Sequence, residues 1–350
     1  MLIARYLGEK RPQYIGQVIG GSIVVFALIS AVLFVVLVGF ARPISVLMQA
    51  PEEALGLTSG YVRICGAGIF FIVAYNLLAA IFRGLGDSQS PLLFVLVACI
   101  VNVFGDLFLV AGLHLDAAGA AIATLAAQAA SVVCALIMLL KKHLPFKLCK
   151  ADFRLNPQCR KFLSIGLPLA LQEFLTQLSF LALCAFVNRL GLEASSGYGV
   201  ACKIVNFAML IPSALMQSMA AFVSQNIGAG SKKRARQSMF TGIGIGLAFG
   251  CAVFANAFAY LKGFAPETIA TAVLFSMVGY FNGNNKTVWV MVQGLVQTLL
   301  VRLPMAYFMS IQPNASLTMI GLAAPTSTAV GIVLNICFYF YFERTSRSDS

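Results

Sequence analysis

Phe82-Arg83-Gly84-Leu85-Gly86-Asp87-Ser88-Gln89-Ser90-Pro91 is a short polar turn held between two apolar runs of helical length. A degraded copy, Phe281-Asn282-Gly283-Asn284-Asn285-Lys286-Thr287, follows 199 residues later, counted from Gly84 to Gly283. Upstream, Ala50-Pro51-Glu52 is answered by Ala265-Pro266-Glu267 at a spacing of 215. Further up, Leu7-Gly8 with Lys10, Arg11 and Gln17 is answered by Ile227-Gly228 with Lys232, Lys233, Arg234, Arg236 and Gln237, at a spacing of 220. Landmarks that recur in the same order indicate an internal duplication.

Composition sets the class of both copies. Hydrophobic residues make up 60% of the chain and charged residues 10%, and the mean hydropathy is +0.89. That balance describes an integral membrane protein. Ten apolar runs are predicted as membrane helices, at about 17–41, 55–81, 91–111, 117–140, 162–187, 195–223, 237–261, 268–281, 287–309 and 318–342. The expected fold is an all-α polytopic bundle, divided into residues 1–140, a basic linker 141–161, a second bundle 162–342 and a tail 343–350. The net charge of +12 reads as a topology signal, and no nucleic-acid partner is expected. With the N-terminus inside, eighteen lysines and arginines fall on inner segments, from Arg5 to Arg347, and four (Arg42, Arg63, Arg189, Lys262) on the outer side. The positive-inside bias then places both termini in the cytoplasm of a plasma-membrane protein.

Repeat logic exposes two irregularities. The second copy has two helices ahead of its Gly228 loop, and the first has none ahead of Gly8. The spacing falls from 215 to 199 within helix eight, so 268–281 is expected to be a short, poorly packed span entered from an outer turn at Lys262-Gly263-Phe264-Ala265-Pro266-Glu267. Six helices per copy, of which four plus six are present, would relate two parallel bundles by an axis along the membrane normal. Arg42-Pro43 is expected to end helix one. Pro168 and Pro212 suggest kinks.

Nine cysteines without paired spacing and two loop histidines, His114 and His143, point to no metal site or cofactor. The Gly242-x-Gly244-x-Gly246 run lies in an apolar helix with no preceding strand, which argues against phosphate binding. Trp289 is read as an interface anchor. No aspartate-rich or histidine motif supports an enzyme.

Charge inside hydrocarbon costs about 2.5–3.5 kcal/mol on insertion scales, so buried ionisable residues are functional candidates. Asp106 lies about 9 Å from the outer end of helix three and Asn102 one turn further in, while Thr124 of helix four reaches a matching depth of about 10 Å. The three could bind sodium through oxygen, hold a proton, or simply bridge two helices. Glu173 falls near the middle of helix five. Lys203 and Arg302 also sit in apolar runs, where either could neutralise it. Glu267, matched to Glu52 of an outer loop, is expected in solvent.

Arg83-Gly84-Leu85-Gly86-Asp87, Asn102-x-x-x-Asp106, Gly119-Ala120-Ala121-x-Ala123-Thr124 and Gln225-Asn226-Ile227-Gly228-Ala229-Gly230, together with the duplication, resemble the multidrug and toxic compound extrusion (MATE) family, apparently without its first two helices. The resemblance implies a monomeric antiporter that exports small organic cations in exchange for sodium ions or protons. It implies an N-lobe cation site at Asn102, Asp106 and Thr124, and a C-lobe acid at Glu173. A lipid-linked precursor flippase of related fold is the alternative, kept open by Lys203 and Arg302.

Overall fold

The computed structural model describes residues 1–47, 52–142, 146, 149–188, 202–203, 205–257, 265–312 and 316–348. Among these residues the regular structure is entirely helical. Seven helices are long and apolar enough to cross a membrane, and a bent pair adds an eighth span. Their outward faces carry bare apolar side chains, among them Leu92, Phe104, Leu140, Leu300 and Phe340, as helices facing lipid should. Contacts divide the chain into two compact units, Leu2–Lys161 and, apart from Met1, Phe162–Ser350.

The first unit contains α1 (Leu2–Gly8), α2 (Pro12–Gly39), α3 (Ala41–Leu47), α4 (Leu55–Ala67), α5 (Ile69–Gly84), α6 (Gln89–Asp106) and α7 (Asp116–Lys141). Pro12 opens α2, where its missing N–H costs nothing. The chain does not leave helix at Arg42-Pro43 as expected. It breaks earlier, at Phe40 (φ −110°), and Pro43 is absorbed into the first turn of α3. The expected second helix is two helices, α4 and α5, bent by 51°. The break falls at Gly68, where a Cβ would come within 1.7 Å of Leu125 on α7. The end of the linker packs inside this unit. Asn156 donates to the Gln17 carbonyl at 2.9 Å, and the Tyr6 hydroxyl donates to Gln158 at 2.7 Å.

The second unit contains α8 (Pro157–Asn188, from Phe162 on), α9 (Leu210–Gly228), α10 (Lys232–Ala257), α11 (Ala265–Gly283), α12 (Thr287–Leu295), α13 (Leu303–Ser310), α14 (Leu317–Gly321) and α15 (Ala323–Ser348). The expected short segment 268–281 lies within α11, which is 19 residues long. Pro266 and Glu267 fall in its first turn, where proline and acid both favour helix initiation. Nor is it poorly packed: Leu274, Met277, Val278, Tyr280 and Phe281 belong to the central apolar cluster of the unit. Lys262-Gly263-Phe264, Pro51, His143, Pro145, Arg189 and the first residues of the expected sixth helix lie outside the described residues.

The duplication reappears in backbone geometry. After α5 the N–H of Asp87 bonds the Phe82 carbonyl at 3.0 Å and that of Gly86 bonds Arg83 at 3.1 Å; after α11 Lys286 bonds Phe281 at 2.9 Å and Asn285 bonds Asn282 at 3.0 Å. Both are helix ends closed by a left-handed residue, Gly86 at φ +82° and Asn285 at φ +60°. Asparagine replaces glycine there because its short polar side chain tolerates that region best. The ends of α1 and α9 form a second such pair: Arg11 bonds Tyr6 at 3.0 Å and Ser231 bonds Asn226 at 2.8 Å, across left-handed Lys10 and Gly230. Phe82 and Phe281, at equivalent positions, are both fully buried.

Candidate functional site

In the first unit α6 and α7 run side by side, with small residues at the contact. A Cβ on Gly105 would lie 2.9 Å from that of Ala123, and one on Gly119 would lie 3.1 Å from the Leu109 backbone. Such close approach brings short polar side chains into reach across the interface. Asn102 donates through Nδ2 to the Thr124 hydroxyl at 3.5 Å, the long limit for a hydrogen bond. Asp106, one turn outward on the same face, has a buried Oδ1 with no hydrogen-bond partner. The three residues expected from the sequence therefore lie on two adjacent helices, with Asn102 and Thr124 in contact.

Asp106 is also the last residue of α6 before a π-helical stretch, Leu107–Gly112. Leu113 there bonds the carbonyl five residues back, Phe108, at 3.0 Å. Wider turns of this kind recur at functional sites because they turn side chains away from the α register. Tyr61 of α4 lies within electrostatic reach of Asp106.

Gln128, one turn inward from Thr124, carries a second buried oxygen without a partner. Gln128 is not among the site residues expected from the sequence. Its signal was the four-residue spacing from Thr124 in an alanine-rich helix, which puts both on one face. Along the two helices the strip reads Asp106, then Asn102 with Thr124, then Gln128. Carboxylate, hydroxyl and amide oxygens suit a hard cation, and an open carboxylate oxygen equally suits a proton. Among the described residues no three of His, Cys, Asp and Glu come together as a metal site.

The second unit departs further from expectation. Glu173 is on an exposed face of α8, accepting a hydrogen bond from Gln177 at 3.1 Å. Lys203 is exposed as well. Arg302 alone of the three is buried, at 7% exposure. It closes the π-helical stretch Val296–Arg302 between α12 and α13. Its Nε donates to the Ser327 hydroxyl at 3.1 Å, and its guanidinium lies 5.3 Å from the centre of the Phe180 ring. Glu267 lies within electrostatic reach of it.

Glu267 is not in solvent. It is 5% exposed, because the helix of α11 begins before it and carries it inside. The Thr328 hydroxyl donates to its Oε1 at 3.5 Å, and its Oε2 is buried with no hydrogen-bond partner. Below this cluster, Gln293 donates to Gln297 at 2.6 Å. Trp289 is partly buried and packs against the central apolar cluster of the unit. It stacks on Phe338 with centroids 4.1 Å apart and donates to Asn335 at 3.0 Å.

At the turn between α5 and α6, Asp87 receives the N–H groups of Gln89 and Ser90 at 3.1 and 3.0 Å and pairs with Lys142. Burial alone would raise its carboxyl, but hydrogen bonds from Lys142 and Ser90 outweigh that and hold it down at about 2.

A family model described as MatE matches residues 1–108 and 168–262. The probable multidrug resistance protein YoeA of Bacillus subtilis is 27% identical over 251 residues, covering 69% of this chain and 54% of that protein. YpnP of the same organism, also described as a probable multidrug resistance protein, is 30% identical over 190 residues, 54% of this chain and 42% of that protein. An FAD transporter of Shewanella oneidensis is 26% identical over 215 residues, 60% and 48% of the two chains. The chain thus spans about half the length of the curated relatives it matches. In fold it is similar to an outward-facing multidrug resistance MATE family transporter of the MOP superfamily, with TM-score 0.90 and 18% identity over 99% of this chain and 82% of that one. A MOP superfamily transporter from Pyrococcus furiosus, described as having a binding pocket of reversed polarity, matches with TM-score 0.87 and 20% identity over 99% and 82%.

Proposed function

Because this chain belongs to the MatE family, whose members are transporters and not enzymes, we propose that it works in secondary active efflux of organic cations, exchanged for protons or sodium ions. The observation that carries the reading is the buried, unpartnered Oδ1 of Asp106 beside the Asn102–Thr124 bridge. A carboxylate oxygen buried in an apolar helix without a hydrogen-bond partner is costly to keep unless it takes one during work. Asp106 holds the coupling ion, Asn102 and Thr124 supply neutral oxygens one turn along the strip, and Gln128 offers the next oxygen beyond them. The protein's own exchange of ion for cargo needs no cofactor. We place it in the plasma membrane as a monomer with both termini cytoplasmic, supported by the inner excess of lysine and arginine.

Coupling requires that the ion bind outward- and inward-facing states with different affinity, since a ligand shifts an equilibrium only by that difference. Asp106→Asn keeps the shape and removes the titrating charge. The test is uphill efflux of a fluorescent organic cation from proteoliposomes under an imposed proton or sodium gradient. Asp106→Asn is expected to abolish gradient dependence while still binding the cation. Unchanged gradient-driven efflux would remove Asp106 from the mechanism. The likeness to an FAD transporter makes FAD the anionic cargo to run beside the cation. A lipid-linked precursor belongs in the same comparison, because Arg302 is buried in the second unit.

A further inference from the structure

Two consecutive residues of α15 hold opposite charges side by side. Ser327 accepts from Arg302 Nε at 3.1 Å, and its neighbour Thr328 donates to Glu267 Oε1 at 3.5 Å. Arg302 comes from the π-helical end above α13 and Glu267 from the first turn of α11, so three elements of the second unit converge on one hydroxyl pair. Both charged residues are more than nine-tenths buried, at 7% and 5% exposure. Glu267 Oε2 is also buried and has no hydrogen-bond partner, which leaves a carboxylate oxygen open inside an apolar unit. A buried carboxylate needs a compensating positive charge.

We propose that Arg302 is a tethered counter-cation for Glu267: it supplies the positive charge of a carboxylate site in the second unit, so that a free cation is kept from binding there. The guanidinium suits that duty. It stays charged in any protein environment, and its flat face lies against Phe180 while its edge bonds Ser327. A free ion would exchange with solvent, whereas a guanidinium carried on the chain cannot leave. Together with the proposed exchange at Asp106, the arrangement leaves one ion-exchanging carboxylate in a chain of two units. Removing Arg302 should therefore create a second cation site rather than destroy one.

The test reads ion binding and needs neither cargo nor gradient, so its failure is separable from failure of the transport reading. The purified chain in detergent is titrated with radioactive sodium in alkaline buffer. Arg302→Gln is expected to bind one more sodium ion per chain than the wild type. Arg302→Lys, which restores the charge, and the double variant Arg302→Gln with Glu267→Gln should both return to the wild-type number. The extra ion should persist when Asp106→Asn is added. Should Arg302→Gln fail to fold, Glu267→Gln decides the matter, because it leaves Arg302 without its counter-charge and is expected to bind one iodide per chain that the wild type does not. A folded Arg302→Gln with no added sodium, or a folded Glu267→Gln with no added iodide, overturns the proposal.

Discussion

Asp87→Asn isolates the electrostatic part of the turn between α5 and α6. The amide still accepts the N–H groups of Gln89 and Ser90 as a helix cap, but it loses the ion pair with Lys142. The carboxyl stands at about 2 against an ordinary 3.8. At 1.36 kcal/mol per pKa unit that difference is worth roughly 2 kcal/mol. Lys142 is 44% exposed and so screened by solvent, which lowers the expected loss to about 1–2 kcal/mol. The sign follows from linkage. The folded value lies below the unfolded one, so the contribution is fully present above about 4 and disappears as pH falls through about 2. The assay is reversible denaturant titration of the purified chain, wild type against Asp87→Asn. Near neutral pH the variant should be less stable by that amount, and the gap should close between about pH 4 and pH 2. A gap of the same size at both ends would refute the ionic account and leave only a packing effect.

The paired helix ends make their own prediction. Gly86→Val should cost roughly 1–2 kcal/mol for a branched residue in left-handed geometry, Gly86→Asn clearly less, and Asn285→Gly should be near neutral, all read by the same titration. Gly279→Ala would bring a Cβ to 2.8 Å from the Met216 carbonyl, and overpacking of this kind should cost about 1–3 kcal/mol of stability. Thr124→Ala removes one long hydrogen bond worth about 0.5–1 kcal/mol. Apparent ion affinity measured from efflux should then fall about two- to fivefold, with folding unchanged.

What could be read from the sequence divides by physical cause. The duplication was legible because turns demand particular residues: Gly86 and Asn285 sit at equivalent left-handed positions, and the chain has few ways to close a helix there. Asn102, Asp106 and Thr124 were legible because depth along a helix follows from residue counts, and polar groups stand out in apolar runs. Direction around a helix is harder to read. Glu173 has the depth of a site residue and stands on an exposed face of α8, a direction that residue counting alone does not give. The error at Glu267 came from trusting the repeat. Its counterpart Glu52 does lie in an exposed segment, but Ala265-Pro266 start a helix at once and carry Glu267 inward. Gln128 was missed for the opposite reason, being a neutral residue in an alanine-rich stretch. Its unpaired oxygen becomes visible only when the neighbouring helices are in place.

The central claim is that Asp106 exchanges the ion that drives export. The most direct measurement sets gradient-driven efflux of a fluorescent organic cation against equilibrium binding of the same cation, for wild type and Asp106→Asn in one liposome preparation. Retained binding with efflux that no longer responds to the ion gradient is the predicted result. Efflux by Asp106→Asn that follows the gradient as the wild type does would contradict it.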